Sequence, residues 1–205
     1  MPRVIPEYKE QAKKKILETA AEVFARKGYH EATMDDIASA IGVSKGAVYQ
    51  YFETKEKLFQ ELCLLKAGLL EEALRSGFTG GGFRKVAEEH MDAELERHAR
   101  ERALMFEALA EAPRNPALQK LVEETYERYV EIIARFIDRL KEEGEIDGGV
   151  DSTAIARVVV ALRHGVIVSF LQGLGAREAK KVWKDGLNSL IQGLQPPRGR
   201  LSRDE

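Results

Sequence analysis

The segment Ala32–Tyr51, ATMDDIASAIGVSKGAVYQY, decides the fold of this chain. It contains two short amphipathic patterns separated by Gly42. Thr33 precedes the first pattern and Asp36 follows three residues later, so a capping box is predicted to start a helix of one to two turns. Ser44 holds the same capping position before the second pattern. Two helices joined by a tight glycine turn are typical of a helix-turn-helix.

The second helix of this segment is predicted to have a buried and an outward face. At about 100° per residue, Val48 and Phe52 turn inward together. The opposite face is small or polar and carries no charge: Gly46, Ala47, Tyr49 and Gln50. Such a face suits a helix that lies against DNA, because small residues allow a close approach and an amide can read a base edge. The alternative, a short surface helix without this role, is disfavoured by the compact helix–glycine–helix spacing.

Cationic and hydroxyl side chains surround the outward face. Lys45 starts the second helix, and Lys55 starts the helix that follows. Thr33 and Tyr51 add hydroxyl groups, and Thr33 does so at a helix N-terminus, where backbone N–H groups favour phosphate. We therefore expect Gln50 to read bases, whereas the surrounding hydroxyl and lysine groups position the DNA backbone.

Between about Gln11 and Leu65 the sequence resembles the DNA-binding domain of the TetR family. The agreement lies in four runs: Gly28-Tyr29, Ala32–Ala38, Gly42–Phe52 and Lys55–Leu58. The resemblance implies a three-helix DNA-binding domain, a helical regulatory domain, and a dimeric repressor that a small molecule releases from operator DNA. It also implies the DNA-contact positions, which are here Thr33, Lys45, Gly46, Ala47, Tyr49, Gln50, Tyr51 and Lys55. We add Ser44, and we note that Gln50 departs from the aromatic residue or histidine common there, so no operator sequence is carried over.

The remainder of the chain shows helical periodicity, with glycine and proline breakers and without sustained strand alternation. We expect an all-α fold of about nine helices. Residues 1–55 are assigned to the helix-turn-helix domain, 56–195 to a helical regulatory and dimerisation domain, and 196–205 to a disordered tail. After a long helix from Lys55, the predicted helices cover about Phe83–Arg100, Ala103–Glu111, Ala117–Glu143, Ser152–Gly173 and Arg177–Leu194.

The composition is that of an ordinary soluble globular protein. Hydrophobic residues make up 44% and charged residues 32%, and the net charge is -2, so DNA binding must use a locally basic surface. The single cysteine, Cys63, excludes an intrachain disulfide and favours a reduced cytoplasmic location. Because the charged segment Met1–Glu10 lacks an apolar run, we do not expect it to be a signal peptide. The apolar stretch Val158–Leu171 contains Arg163 and His164, and we expect it to fall short of a membrane span.

The last two predicted helices are candidates for a dimer interface. The first of them is apolar on nearly all sides, which indicates burial on more than one side. The pair fits a four-helix contact with a second copy of the chain, and an intramolecular bundle is the alternative. The predicted interface residues are Val166, Phe170, Trp183, Leu187, Leu190, Ile191 and Leu194.

A small-molecule site is expected among the middle helices. Its candidate residues are His90, Phe106, Leu109, Tyr126, Tyr129, Ile133, Arg163 and His164. Arg163 interrupts an apolar helix and needs a partner if it is buried. That partner is either an acidic residue across the dimer or the anionic group of a ligand. The second alternative favours a small hydrophobic acid, such as a fatty acid, an acyl thioester or an aromatic acid.

No cofactor and no metal ion is expected. His90, Glu94 and His98 recur at a spacing of four, but the ends of this run are two helical turns apart and do not converge on one tetrahedral ion. We find no nucleophile, base or metal motif of the kind that an enzyme requires. An architectural nucleic-acid or protein-interaction module without a ligand is a third alternative.

Overall fold

The computed structural model of the protein describes residues 6–77, 82–96 and 99–196. Within these ranges the regular structure is helical. Its α-helices are α1 (Pro6–Lys27), α2 (Met34–Ile41), α3 (Lys45–Tyr49), α4 (Lys55–Gly77), α5 (Gly82–Glu96), α6 (Ala99–Glu111), α7 (Pro116–Glu142), α8 (Ser152–Leu171) and α9 (Ala176–Gly193). A short 3-10 turn, Ala112–Arg114, connects α6 to α7. The predicted all-α class is confirmed.

Three helix boundaries differ clearly from the prediction. Helix α3 ends at Tyr49, and the chain then tightens, since the N–H of Tyr51 donates to the carbonyl of Val48 three residues earlier. Helix α5 ends at Glu96, four residues before its predicted end, and α6 begins at Ala99, four residues before its predicted start, because no glycine, proline or capping residue there indicates a boundary in the sequence.

Four parts of the chain that the predictions touch lie outside the described residues. They are residues 1–5, which begin the charged N-terminal segment, residues 78–81, which hold most of the glycine run before α5, residues 97–98, and residues 197–205, which hold nearly all of the predicted tail.

The chain divides into two compact units. The first unit comprises Met1–Leu69 and Glu96–Tyr126, and the second comprises Leu70–Leu95 and Glu127–Glu205. Helices α4 and α7 each contribute residues to both units. The boundary after residue 55, drawn from the sequence, stays a prediction.

The core of the first unit is aromatic. The ring centroids of Phe24 and Phe59 are 5.6 Å apart, and the Tyr29 ring lies 5.8 Å from the first and 4.9 Å from the second. All three side chains are buried, and Leu104 and Ala108 of α6 join the same core. Because large aromatic groups dominate the apolar area that a core buries, this cluster holds the short helices of the unit together. The core of the first unit thus includes α6, which follows the helix-turn-helix segment by about 50 residues in the sequence.

In the second unit, α9 packs on α5 and α8. The buried indole N–H of Trp183 donates to the carbonyl oxygen of Ala87 at 2.9 Å. Lys184 forms an ion pair with Glu88 at 3.1 Å on the same pair of helices. Leu187 is 1% exposed and continues the inner face of α9. An apolar stripe and flanking polar contacts therefore fix α9 within its own chain.

Helix α8 is the most apolar helix of the described chain. With 20 residues it is long and apolar enough to cross a membrane by length and composition alone, which the shorter stretch Val158–Leu171 was not expected to be. The core helix of a soluble protein meets the same criterion. Only 28% of its most apolar window is buried inside the chain, which leaves much of its apolar surface open to a further contact.

Candidate functional site

The helix pair α2–α3 begins and ends at its predicted caps. The Thr33 hydroxyl oxygen accepts from the N–H of Asp36 at 3.1 Å, and the Asp36 carboxylate accepts from the N–H of Thr33 at 3.0 Å. Gly42 ends α2 with a φ of 81°, in the left-handed region that favours glycine. The Ser44 hydroxyl oxygen caps α3 by accepting from the N–H of Ala47 at 3.3 Å. These local bonds explain why two such short helices form at all.

The two faces of α3 agree with the prediction. Val48 is 0% exposed and Phe52 is buried beside it. The outward side chains are exposed or half-exposed: Gly46, Ala47, Tyr49 and Gln50. This outward face makes no part of the core, so it is available for a contact. Base reading by Gln50 stays a prediction.

Lys45 sits beside an acidic neighbour that the sequence did not place there. Its ammonium lies 2.9 Å from the carboxylate of Asp35 and 5.8 Å from the centroid of the Tyr49 ring. The hydrogen bond to Asp35 raises the pKa of Lys45, so the ammonium stays protonated at neutral pH. The two residues are ten positions apart, and only the folded turn between α2 and α3 brings them together. A phosphate group at this position must compete with Asp35.

The Thr33 hydroxyl is occupied within the capping box. It donates to the Asp36 carboxylate at 2.8 Å, while the Lys27 ammonium donates to the same carboxylate at 2.6 Å. The hydrogen bonds from Lys27 and then Thr33 lower the pKa of Asp36 to about 2. A phosphate contact by Thr33 would therefore require its hydroxyl proton to leave an anionic partner.

Lys55 is bound to the turn between α1 and α2. Its ammonium donates to the carbonyl oxygens of Tyr29 at 2.7 Å and of His30 at 3.2 Å, and it lies 4.4 Å from the centroid of the Tyr29 ring. Burial lowers the pKa of Lys55, against the opposing charges of Glu111 and Glu56. The sequence predicts Lys55 as a phosphate contact. With two of its three donors on carbonyl groups, Lys55 also holds the fold at this position.

Arg163 has a partner that neither sequence alternative foresaw. Its guanidinium lies 2.6 Å from the carboxylate of Glu94 in the same chain, and the two side chains are only 20% and 9% exposed. The Tyr129 ring lies on the same guanidinium, with its centroid 5.9 Å away. The expectation of an acidic residue across the dimer is thus corrected, because the acidic partner is Glu94 of α5 in the same chain, and binding of a ligand anion at Arg163 stays a prediction.

His164 follows Arg163 and is partly buried. Burial and, to a smaller extent, the Arg163 charge lower the pKa of His164 to about 4. Its imidazole is therefore neutral at pH 7, so Arg163 is the positive group here.

The remaining predicted ligand residues are divided between the units. Phe106, Leu109 and Tyr126 belong to the first unit, whereas His90, Tyr129, Ile133, Arg163 and His164 belong to the second. The described contacts bring Arg163, Tyr129 and Glu94 together. His98, the end of the histidine run, lies outside the described residues.

The predicted dimer interface needs a correction. Val166, Trp183 and Leu187 are at most 4% exposed in the single chain, so they have no surface to offer a partner and we remove them from the set. The others are only partly buried: Phe170, Leu190, Ile191 and Leu194. The sequence missed three more exposed apolar residues on these helices: Val158, Leu171 and Val182. An all-apolar pattern cannot show which side of a helix faces its own core.

Two family descriptions match the chain. "Bacterial regulatory proteins, tetR family" matches residues 16–62, and "BetI-type transcriptional repressor, C-terminal" matches residues 81–192. The HTH-type transcriptional regulator UidR of Escherichia coli (strain K12) is 27% identical over 180 residues, which are 88% of this chain and 91% of UidR. The HTH-type transcriptional regulator YfiR of Bacillus subtilis (strain 168) is 30% identical over 178 residues, which are 83% of this chain and 85% of YfiR.

The fold is shared with solved structures. A TetR-family transcriptional regulator from Rhodococcus sp. superposes with a TM-score of 0.76 at 21% identity, and the match covers 89% of this chain and 99% of that one. Proteins of this family are DNA-binding regulators and not enzymes. They bind operator DNA as dimers. The capped α2–α3 pair, the match of both halves and the length of the similarity to YfiR lead to one conclusion: the chain belongs to the TetR family of bacterial transcriptional regulators.

Proposed function

We propose that the protein is a cytoplasmic, dimeric repressor that binds a specific operator and leaves it when a small hydrophobic molecule binds. The observation that carries the DNA-binding part is the outward face of α3, which is uncharged and makes no part of the core. An exposed helix face without charge is unusual in water but fits a major groove, where amide and apolar groups read bases. The family membership supports the same function.

The DNA contacts divide between reading and positioning. Gln50 is proposed to read a base edge, with Gly46 and Ala47 allowing close approach and Tyr49 reaching a phosphate or a thymine methyl group. Lys45, Ser44 and Tyr51 surround this face as positioning groups. Two copies of α3 in a dimer would enter successive major grooves, about 34–36 Å apart.

The proposed dimer contact uses the exposed apolar sides of α8 and α9. Val158, Leu171 and Val182 are 48%, 40% and 44% exposed in the single chain. Together with Phe170 and Ile191 they leave apolar area on two neighbouring helices, which a second copy can cover in a four-helix contact. Replacing Val158 and Val182 by Glu should convert the dimer to monomer in sedimentation velocity. Val43→Glu, at a residue 43% exposed but outside these helices, is the control and should stay dimeric.

The ligand proposed is a hydrophobic small molecule bound in the second unit, where a fatty acid or an aromatic acid would compete with Glu94 for Arg163. Support comes from the buried Arg163–Glu94 pair and the neutral His164 beside it. The Nε of Arg163 makes no hydrogen bond among the described residues, so an acid can approach the guanidinium there, and an acid that replaces Glu94 would move α5 relative to α8. Ligand binding would then shift the population toward a dimer whose α3 helices no longer match the groove spacing.

The ligand proposal is tested with decanoate and the uncharged decanol as probes. Wild type should show a larger rise in melting temperature with decanoate than with decanol. Glu94→Gln should enlarge the decanoate effect because Arg163 loses its competing anion, and Arg163→Gln should abolish the difference between the probes. Equal shifts for both probes in all three proteins would contradict an anionic ligand.

DNA binding is tested by fluorescence anisotropy with the duplex upstream of the protein's own gene. Duplexes that differ at one base pair should bind wild type with unequal free energies, and Gln50→Ala should reduce that difference by about 1–3 kcal/mol at the position that Gln50 reads. Lys45→Ala should weaken binding to all duplexes and reduce the slope of log affinity against log salt concentration by about 1. Equal effects of both changes on every duplex would contradict this division, and absence of salt-sensitive, sequence-specific binding by wild type would contradict the function itself.

A further inference from the structure

Glu107 lies on α6, outside the segment that matches the DNA-binding family model, yet it contacts that segment directly. Its Oε2 accepts a hydrogen bond from the backbone N–H of Tyr29 at 2.7 Å. Tyr29 stands in the turn between α1 and α2, and a bond from a carboxylate to a backbone N–H is of the strong, charge-assisted kind. A helix of later sequence therefore caps the entrance to the helix-turn-helix.

Gly28 makes this approach possible. Its φ of 84° lies in the left-handed region, and a Cβ atom at this residue would stand 2.6 Å from the same Oε2 of Glu107. A side chain at residue 28 would therefore displace the carboxylate. Glycine therefore suits this position for two reasons: its backbone is left-handed, and the Glu107 carboxylate lies where a side chain would begin.

The turn is bound on two sides. On the α6 side, Nδ1 of His30 lies 3.1 Å from the carboxylate of Glu111, one helical turn beyond Glu107. On the α4 side, the Lys55 ammonium donates to the carbonyl oxygens of Tyr29 and His30. One carboxylate of α6 thus accepts from a backbone N–H of the turn, a second contacts the His30 ring, and a lysine of α4 donates to the carbonyl groups of the turn.

The position of this turn determines where α2 starts. The Tyr29 side chain is 0% exposed in the aromatic core, and Ala32, next to the cap residue Thr33, is 1% exposed. The chain between them is too short to absorb a displacement, so a shift of the turn carries α2 with it. Helix α3 follows because Gly42 and Val43 both donate to the carbonyl of Ala38 and hold the link between the two helices tight.

We propose that Glu107 is a positioning residue for operator binding: by holding the Tyr29 N–H it keeps α2 and α3 in the arrangement that fits DNA. This rests on the DNA-binding function proposed above. Glu107 touches no DNA itself. It acts through the turn, and it makes operator affinity depend on where α6 lies.

The test compares Glu107→Ala with Glu107→Gln by anisotropy titration, on the operator duplex and on a random duplex of equal length, well below the melting temperature. Glu107→Ala should bind the operator about tenfold more weakly, which corresponds to about 1.4 kcal/mol, with little change on the random duplex. Glu107→Gln keeps an acceptor oxygen for Tyr29 and should recover most of the affinity. Glu123→Ala, an exposed carboxylate of α7 in the same unit, is the matched control and should bind like wild type.

Three results would overturn the proposal. They are an operator affinity of Glu107→Ala equal to that of wild type, an equal loss on both duplexes, and equally weak binding by the Ala and Gln variants. If Glu107→Ala does not fold, Glu107→Met replaces it, since methionine keeps the length of the side chain but offers no carboxylate to the Tyr29 N–H. An operator affinity below that of Glu123→Ala then supports the proposal, and an equal affinity overturns it. Failure of wild type to bind any operator is a separate outcome, since it removes the proposed function before Glu107 is tested.

Discussion

Two glycines with nearly the same backbone conformation should respond very differently to alanine. Gly28 has a φ of 84° and Gly42 a φ of 81°. A left-handed conformation costs a residue with a Cβ atom about 1–2 kcal/mol, and alanine recovers about 0.4–1 kcal/mol by restricting the unfolded chain. Among the described residues no atom lies within 4 Å of a Cβ built on Gly42. We therefore expect Gly42→Ala to cost about 1 kcal/mol.

At Gly28 the same strain is joined by a displaced carboxylate. The new Cβ would lie 2.6 Å from Oε2 of Glu107, so the end of this flexible side chain must move, and we expect its hydrogen bond to the Tyr29 N–H to be weakened or lost. A hydrogen bond to a charged group contributes about 1.5–3 kcal/mol. Complete loss of this bond would bring the cost of Gly28→Ala to about 2.5–4 kcal/mol, which is about 1.5–3 kcal/mol above the cost at Gly42.

The measurement is urea unfolding followed by circular dichroism at 222 nm, at one fixed protein concentration because dimerisation makes stability concentration-dependent. Comparison of Glu107→Ala with the double variant Gly28→Ala/Glu107→Ala separates the cost of the displaced carboxylate from the cost of the backbone conformation. In a Glu107→Ala background, Gly28→Ala should cost only about 1 kcal/mol, since the carboxylate is gone and the backbone strain alone remains. Equal costs at Gly28 and Gly42 in wild type would refute the reasoning, and so would an excess that persists without Glu107.

Three further predictions concern single groups. Asp36→Asn should lower the melting temperature at pH 7, and its curve should meet that of wild type as the pH falls from 4 toward 2, because the pKa of Asp36 is lowered from 3.8 to about 2 and its stabilisation is lost through that range. His164→Asn should lose less stability than wild type between pH 6.5 and 4, since burial lowers the pKa of His164 to about 4 and the unfolded chain takes up the proton first. Trp183→Phe should cost about 0.5–1.5 kcal/mol in urea unfolding by removing the hydrogen bond from the indole N–H to the Ala87 carbonyl.

The sequence predicts those features of the fold that depend on near neighbours. The capping box of Thr33 and Asp36, the glycine end of α2 and the Ser44 cap all join residues three or four apart, so their spacing is visible before folding. The inward side of α3 follows from helical period for the same reason. Each of these predictions is confirmed by hydrogen bonds or burial.

Features that depend on distant residues could not be predicted. The Lys45–Asp35 pair needs the turn to be formed, and the Glu107–Tyr29 bond joins positions 78 apart. The position of Arg163 in an apolar helix indicates that its charge needs a partner. It does not indicate that the partner is Glu94, 69 residues earlier. In α8 the apolar pattern surrounds the helix, so only packing distinguishes the side buried in its own chain from the side left open.

The separation of α3 into two faces has a consequence for how such a protein can change. Val48 and Phe52 hold the helix in place by packing in the core, whereas the side chains at the outward positions do not contribute to core packing. Exchanges at Gln50 or Tyr49 should therefore leave folding nearly untouched, as surface substitutions usually do. Duplicated copies of the gene can accordingly drift toward new DNA sequences through one or two codons without first acquiring compensating changes. The same independence makes this helix a convenient place to build libraries with altered operator preference.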